Sequence, residues 1–442
     1  MTPKPEIMTS VEKLGYRVTV GDVAAQAGLK LNLAQQGLLA LASDAGGHLQ
    51  VAESGEIVYL FPQNFRTILR NKYWKLRLQE TWEKVWKVLF YLIRVSFGVI
   101  LIASIILMMI TIAIIIIGIN SSRNGDSDSQ GGNDRNSGGL NFFFFPNFSD
   151  LFWIFYPNRY DNRYEYQSQE IPKKGKAKSE INFLEGIFSF LFGDGNPNYD
   201  LEERRWQEIG SVIRNNKGAI VAEQVAPYLD NITQYNQENE DYILPVLIRF
   251  NGSPEVSPAG GIIYYFPELQ VTVQKQTKKS VASYLEEKFY RFSRANSGQI
   301  MLSIGLGALN FILALVLGSF LKDPALVAQF GGLVAFVNSI YWILLAYATA
   351  FLSVPLMRYF WIQWQNSKIE SRNIKRQQQV ENLQQIEKSL QEKLDYAHQF
   401  AAEKFITQSD ITYTTEKDVL EQEIERSEQI DKEWQRRLMD NE

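Results

Sequence analysis

The sequence predicts an α+β membrane protein built on an internal duplication, and three observations predict it. Uncharged runs cover 95–120, 297–321 and 324–357, each at least as long as the roughly 20 apolar residues that cross a bilayer. "SGEIVYLFP" at 54–62 is echoed by "AGGIIYYFP" at 259–267. A basic segment and then an uncharged run follow each echoed stretch, so the repeating unit is larger than one strand.

Residues 8–62 read as a first winged-helix-like domain. "VTVGDVAAQAGL" offers a strand and then a helix, "NLAQQGLLALASDAGG" a second helix closed by glycines, and "HLQVAESGEIVYLFP" alternates about a Ser-Gly turn as a hairpin does. A basic juxtamembrane helix is expected at 63–94 and a first transmembrane helix at 95–120. The Gly/Ser/Asn/Asp stretch at 121–139 has the composition of a flexible polar loop. Residues 140–157, "LNFFFFPNFSDLFWIFYP", would reach only about 27 Å as a helix and contain Pro146 and Asp150. They read as a short return crossing or re-entrant segment, or as an interfacial aromatic belt. An interfacial helix is expected at 181–192. The following "GDGNPN" is a turn and not a calcium loop, because Tyr199 stands where a Gly is needed and Arg205 where a bidentate Glu is needed.

A second winged-helix-like domain is expected at 201–271. Six of twelve positions match between the hairpins: Val51/Val256, Gly55/Gly260, Ile57/Ile262, Tyr59/Tyr264, Phe61/Phe266 and Pro62/Pro267. Upstream, "DVAAQAGL" from Asp22 corresponds to "QVAPYLDN" from Gln224. Another basic juxtamembrane helix is expected at 275–296, then transmembrane helices at 298–321 and 330–356 joined as a hairpin through "KDP". The C-terminal helices, 358–442, carry an apolar stripe of Ile374, Val380, Leu383, Ile386, Leu390 and Leu394, a break at "TQSDITYTT", and a last helix from about Glu416. This helical pair either packs on the chain's own winged helices or recruits a partner.

Charge distribution sets an expected topology. Lys/Arg outnumber Glu eight to two over 66–94, six to two over 275–294 and five to one over 358–376, and each block borders a span. The positive-inside rule puts all three on the cytoplasmic side, where they can meet anionic headgroups. The expected membrane-surface contacts are Arg70, Lys72, Lys75, Arg77, Lys278, Lys279, Lys288, Arg291 and Arg294. With both winged helices on one side, the aromatic segment has to return the chain; the competing arrangement puts the second winged helix across the membrane. Within the later spans, Ser303, Gly307, Ala314, Gly318, Gly331 and Gly332 are small residues suited to close helix approach, and Asn310 and Asn338 to interhelical hydrogen bonds. Those two spans hold no acidic, basic or histidine residue, which argues against transport.

Composition excludes most chemistry. Cysteine is absent and only His48 and His398 exist, so a metal centre or a histidine-based triad would have almost nothing to draw on. No phosphate loop, dinucleotide fingerprint, HExxH or GxSxG is present. The expectation is therefore no enzyme, no cofactor and no metal. The N-terminus lacks a secretory pattern, so the N-x-[ST] matches at Asn147 and Asn231 are not expected to be glycosylated. DNA binding also reads poorly. The candidate recognition helix 32–45 contains no Lys or Arg, and its counterpart opens with Glu238, Glu240 and Asp241, which repel phosphate.

With "FLFGDGNPN", the paired "EIVYLFP" and "GIIYYFP" hairpins and "DITYTTEKDVLEQE" on the page, the chain resembles an uncharacterised integral membrane protein family shared by cyanobacteria and plant chloroplasts. Plant members of that family have carried an iron-sulfur cluster biosynthesis label. The resemblance implies a cyanobacterial thylakoid or plasma membrane and supplies no catalytic residues; a chain without cysteine lacks the usual cluster ligands. The expected function is a membrane scaffold or assembly factor that uses duplicated winged helices for protein contact, with possible homo-oligomers. The alternative is a membrane-tethered winged-helix DNA-binding regulator.

Overall fold

The computed structural model describes residues 4–123, 181–230, 240–273, 278–384 and 388–439. The expected loop at 121–139 lies almost wholly outside these residues, and the aromatic segment 140–157 and both N-x-[ST] matches lie entirely outside them.

The chain opens with α1 (Pro5–Lys13), β1 (Arg17–Thr19), α2 (Val20–Ala27), α3 (Leu31–Ala45), β2 (His48–Ala52), β3 (Ile57–Leu60) and α4 (Phe65–Lys72). Thr19 and Asp22 form a reciprocal capping box that starts α2, and Gly28 at φ 65° ends it in the left-handed region that glycine tolerates best. Strand β3 is central and antiparallel to both neighbours, with Val18 opposite Tyr59 and Gln50 opposite Val58. Ile7, Val11, Val18, Val23, Leu38, Leu41, Tyr59, Phe61, Phe65 and Leu69 fill the core beneath. Helix α1, which the sequence reading did not assign, supplies its first wall.

The expected single helix at 63–94 is divided. Tyr73, in an extended conformation, ends α4, and α5 (Trp74–Arg123) then runs on through the first apolar segment as one helix of 50 residues. After α6 (Phe183–Phe192) come α7 (Leu201–Asn215), β4 (Ala219–Ile220), α8 (Ala222–Val225), α9 (Leu244–Phe250), β5 (Ser253–Val256), β6 (Ile262–Tyr265), α10 (Pro267–Gln270) and β7 (Val271–Thr272). Here β6 is central between β4 and β5, the same order as in the first sheet, and Ile220 faces Tyr264 as Val18 faces Tyr59. Gln224 caps α8 as Asp22 caps α2.

The expected basic helix at 275–296 does not form: residues 278–296 contain no helix. Their backbone groups bond to other elements instead. Asn215 clasps Lys279, Leu285 N–H donates to the Pro227 carbonyl, Asn198 clasps Lys288, and Asn373 Oδ1 accepts from Glu287 N–H. Held by these bonds to other elements, the segment is an irregular strap.

The chain ends with α11 (Ser297–Leu321), α12 (Pro324–Phe330), α13 (Gly332–Gln384), α14 (Lys388–Phe400), β8 (Lys404–Phe405), β9 (Ile411–Thr414) and α15 (Val419–Met439). The third apolar segment and the polar stretch after it are one helix, α13, with Pro355 inside it. Among the described residues three helices are long and apolar enough to cross a membrane: Thr81–Ser121, Ser297–Leu321 and Gly332–Gln384.

Two compact units result. One comprises Met1–Glu83, Asn196–Phe289 and Asn366–Glu442 and holds every described strand; the other comprises Lys84–Gly195 and Tyr290–Gln365 and holds most of the apolar helices. In the first, the C-terminal segment stitches both sheets. Strand β9 adds to the β2 edge with Val51 opposite Tyr413, β8 lies parallel to β7, and α14 packs Leu390, Leu394 and Phe400 over Val221 and Ile263.

Candidate interaction site

In the first unit the two sheet-bearing segments meet through small residues. A Cβ on Gly21 of α2 would lie 2.0 Å from the Glu268 carbonyl oxygen of α10, and one on Gly210 of α7 would lie 2.9 Å from the Ala25 Cα. Glycine thus lets α2 approach two backbones at once. At the centre is Asp22, only 2% exposed. One carboxylate oxygen accepts from Thr19 N–H at 2.9 Å; the other accepts from Thr272 Oγ1 at 3.0 Å and from Arg214 at 2.6 Å. A helix-capping residue, placed by local rules, is therefore also the polar joint between segments 250 residues apart. Beside it, Ala25, Gln26, Ser211, Arg214, Asn215 and Lys279 line a shallow cleft.

Two further joints tie the C-terminal helices to the second sheet. Arg376 of α13, 4% exposed, donates to the Leu285 carbonyl at 2.7 Å and pairs with Asp230 at 2.5 Å and Glu287 at 2.9 Å. Arg372 holds the other Glu287 oxygen at 2.6 Å, and Arg205 also pairs with Asp230. Burial alone would raise both carboxyls, but Arg372 and Arg376 at Glu287, and Arg376 and Arg205 at Asp230, hold them below the usual carboxylate range. On α14, Lys393 bridges Glu223 at 2.9 Å and Glu240 at 2.6 Å. Burial pulls the Lys393 ammonium down and the two glutamates more than reverse this. Tyr264 donates to Glu240 at 2.9 Å; burial and the neighbouring carboxylate push its phenol up.

The expected membrane-surface residues divide. Arg70, Lys278, Lys288, Arg291 and Arg294 are exposed. Lys72 is exposed but pairs with Asp44 at 2.7 Å. Lys279 is exposed as well but donates to Gln26 of α2, and partial desolvation followed by Arg214 and Lys13 pulls its ammonium down, so it belongs to the junction. The side chains of Lys75 and Arg77 lie outside the described residues.

In the second unit, Ser303, Gly307, Asn310, Ala314 and Gly318 are buried on one face of α11. A Cβ on Gly307 would lie 2.6 Å from Phe351, and one on Gly318 would lie 1.9 Å from the Tyr341 hydroxyl. Ser104 of α5 donates to Asn310 Oδ1 at 2.9 Å. The other expected packing residues differ. Asn338 is exposed, and Gly331 and Gly332, at φ 45° and 44° with nothing near their Cβ positions, form the break between α12 and α13. Their conformation requires glycine where helix contact does not.

Among the described residues no group of three His, Cys, Asp or Glu could hold a metal ion. The buried pairs Asp22–Arg214 and Arg376–Glu287 join elements distant in the chain. Sequence reading missed Asp22, Glu287, Arg376 and Lys393 because a buried paired charge has no local pattern to distinguish it from a solvated one.

No family model and no solved structure matches the chain. It is 38% identical over 445 aligned residues, covering 98% of this chain and 81% of the relative, to an Arabidopsis thaliana protein named "Uncharacterized protein At5g03900, chloroplastic". Such identity across nearly the whole length carries both units together, and the chain belongs to the family of that chloroplastic protein.

Proposed function

We propose that the protein is a non-enzymatic membrane scaffold or assembly factor whose two sheet-bearing segments are duplicated winged helices used for protein contact. The observation that carries this reading is the outward face of α3. Asn32, Leu33, Gln35, Gln36 and Leu39 are exposed there, with no Lys or Arg among them. The corresponding helix α9 exposes Leu244 and Ile248. These are apolar and amide groups suited to a protein surface, and they lack the cations that duplex binding needs. The wing is also engaged, because β9 occupies the outer edge of β2. This weakens the membrane-tethered DNA-binding alternative.

In this reading the apolar helices anchor the chain in a thylakoid or plasma membrane, and the basic residues Arg70, Lys278, Lys288, Arg291 and Arg294 meet anionic headgroups on the cytoplasmic side. Affinity capture of the full-length chain from gently solubilised native membranes tests it. Stoichiometric recovery of one or more membrane proteins is expected; recovery of the chain alone, under conditions that keep known membrane complexes intact, overturns it. Salt-sensitive binding of duplex DNA by the same preparation would favour the regulator instead.

A further inference from the structure

The cleft between α2 and α7 holds donors that nothing in the described chain satisfies. Nη1 of Arg214 pairs with Asp22, whereas its buried Nε and Nη2 have no hydrogen-bond partner among the described residues. Nε and Nη2 form one edge of the planar guanidinium, the fork that receives two oxygens of a single phosphate or carboxylate. Buried donors left without an acceptor are costly, so such an edge calls for one. Asp22, held in turn by Thr19 and Thr272, grips the guanidinium from its other side and sets the fork before any ligand arrives.

The surroundings are cationic. Lys279 of the strap lines the same cleft, and Asn215 fixes its backbone there by accepting from its N–H at 3.2 Å and donating to its carbonyl at 2.8 Å. One of the three ammonium N–H groups goes to Gln26, which leaves two for a ligand. Desolvation, then the charges of Arg214 and Lys13, pulls the Lys279 ammonium down, as happens where cations crowd without a matching anion. Asp22 is the one acid among the described residues lining the cleft, and both its oxygens already accept hydrogen bonds.

We infer that this cleft is a site for a small soluble oxyanion, phosphate or a phosphomonoester, with the Arg214 fork on two of its oxygens and Lys279 on a third. The two cations favour a dianion over a monocarboxylate, and the shallow cleft favours a small ligand. Bound phosphate would touch both α7 and the strap and so fasten one to the other. Such a site stands whether or not the chain recruits protein partners.

Equilibrium dialysis of the full-length chain in detergent against radiolabelled orthophosphate, at fixed ionic strength, tests this. One saturable site per chain is expected, displaced by sulfate and not by chloride. Arg214→Lys keeps a cation beside Asp22 but loses the fork, and Lys279→Gln removes the exposed cation; each is expected to weaken binding about tenfold. Lys278→Gln, the same change at the exposed neighbouring residue, should leave affinity within about twofold. Thermal unfolding without phosphate, expected to be unchanged for Lys279→Gln, separates lost binding from lost folding. Absence of saturable binding, full affinity in Lys279→Gln, or equal weakening by Lys278→Gln and Lys279→Gln each overturns the site.

Discussion

The two sheets of the first unit share a strand order and matched tyrosines, yet they are finished differently. The first, β1-β3-β2, is served by helices of 8 and 15 residues and completed at its edge by β9. The second, β4-β6-β5, has helices of 4 and 7 residues, with Pro227 in the 3₁₀ turn after α8 and Pro245 at the start of α9. Its edge strand β5 contains Pro254, which removes a backbone donor, and α14 covers the sheet with the help of buried charges. The difference teaches that a short hairpin core tolerates loss of helical cover when later chain supplies it. The first sheet gains a strand through main-chain hydrogen bonds; the second gains a helix held by Lys393, and its strap is held by Arg376.

Breaking the second arrangement should cost most. Arg376→Ala removes the cation shared by Asp230 and Glu287; Arg205 and Arg372 still pair with them and Asp230 is partly exposed, so the cost falls at the low end for a broken buried pair, about 3 kcal/mol. Amide hydrogen exchange should show the second sheet and the 278–289 strap losing protection while the first sheet keeps most of its own. Equal loss in both sheets would show that the unit unfolds as one body. Gly21→Ala should come next. Added helix propensity favours alanine by about 1 kcal/mol, but a Cβ 2.0 Å from the Glu268 carbonyl forces backbones apart at about 3 kcal/mol. The net, measured by denaturant titration, is a loss of about 2 kcal/mol.

The matched tyrosines give a finer comparison. Tyr264→Phe removes a bond to a buried carboxylate and should cost about 1.5–3 kcal/mol. Tyr59→Phe, at the corresponding position, removes no described hydrogen bond and should lie within about 0.5 kcal/mol of zero. Similar losses at both would mean that the hydroxyl at 264 contributes little.

Acid should separate the sheets by the smallest margin. Asp230 and Glu287 have depressed carboxyls, so the stability they contribute is present above the ordinary carboxylate range and lost as pH falls through their folded values. Asp44 behaves in the same direction through Lys72, but that pair lies at the surface and is screened by salt. Above about pH 5, where these carboxylates are ionised, added salt should therefore change protection of the first sheet more than that of the second.

How much was legible beforehand follows from the range of each interaction. The apolar runs, the hairpin echo and the Asp22/Gln224 correspondence were readable because they depend on local composition or spacings of a few residues. The 275–296 strap was misread as a helix because its partners, Asn198, Asn215 and Asn373, lie tens of residues away in the chain. Helix α14 packs on the chain's own second sheet, whereas α15 leaves Val419, Leu420, Ile424, Ile430 and Trp434 exposed.

By itself, then, the sequence determined where apolar helices and hairpins form, since hydrophobic periodicity acts over one or two turns or pleats. Only the tertiary structure decided that β9 completes the first sheet, that Asp22 and Arg376 become joints, and that Asn338 faces outward. Those outcomes rest on pairings between residues up to several hundred positions apart. Whether a charge or an amide is buried with a partner or left exposed is a property of the assembled neighbours, which local spacing does not encode.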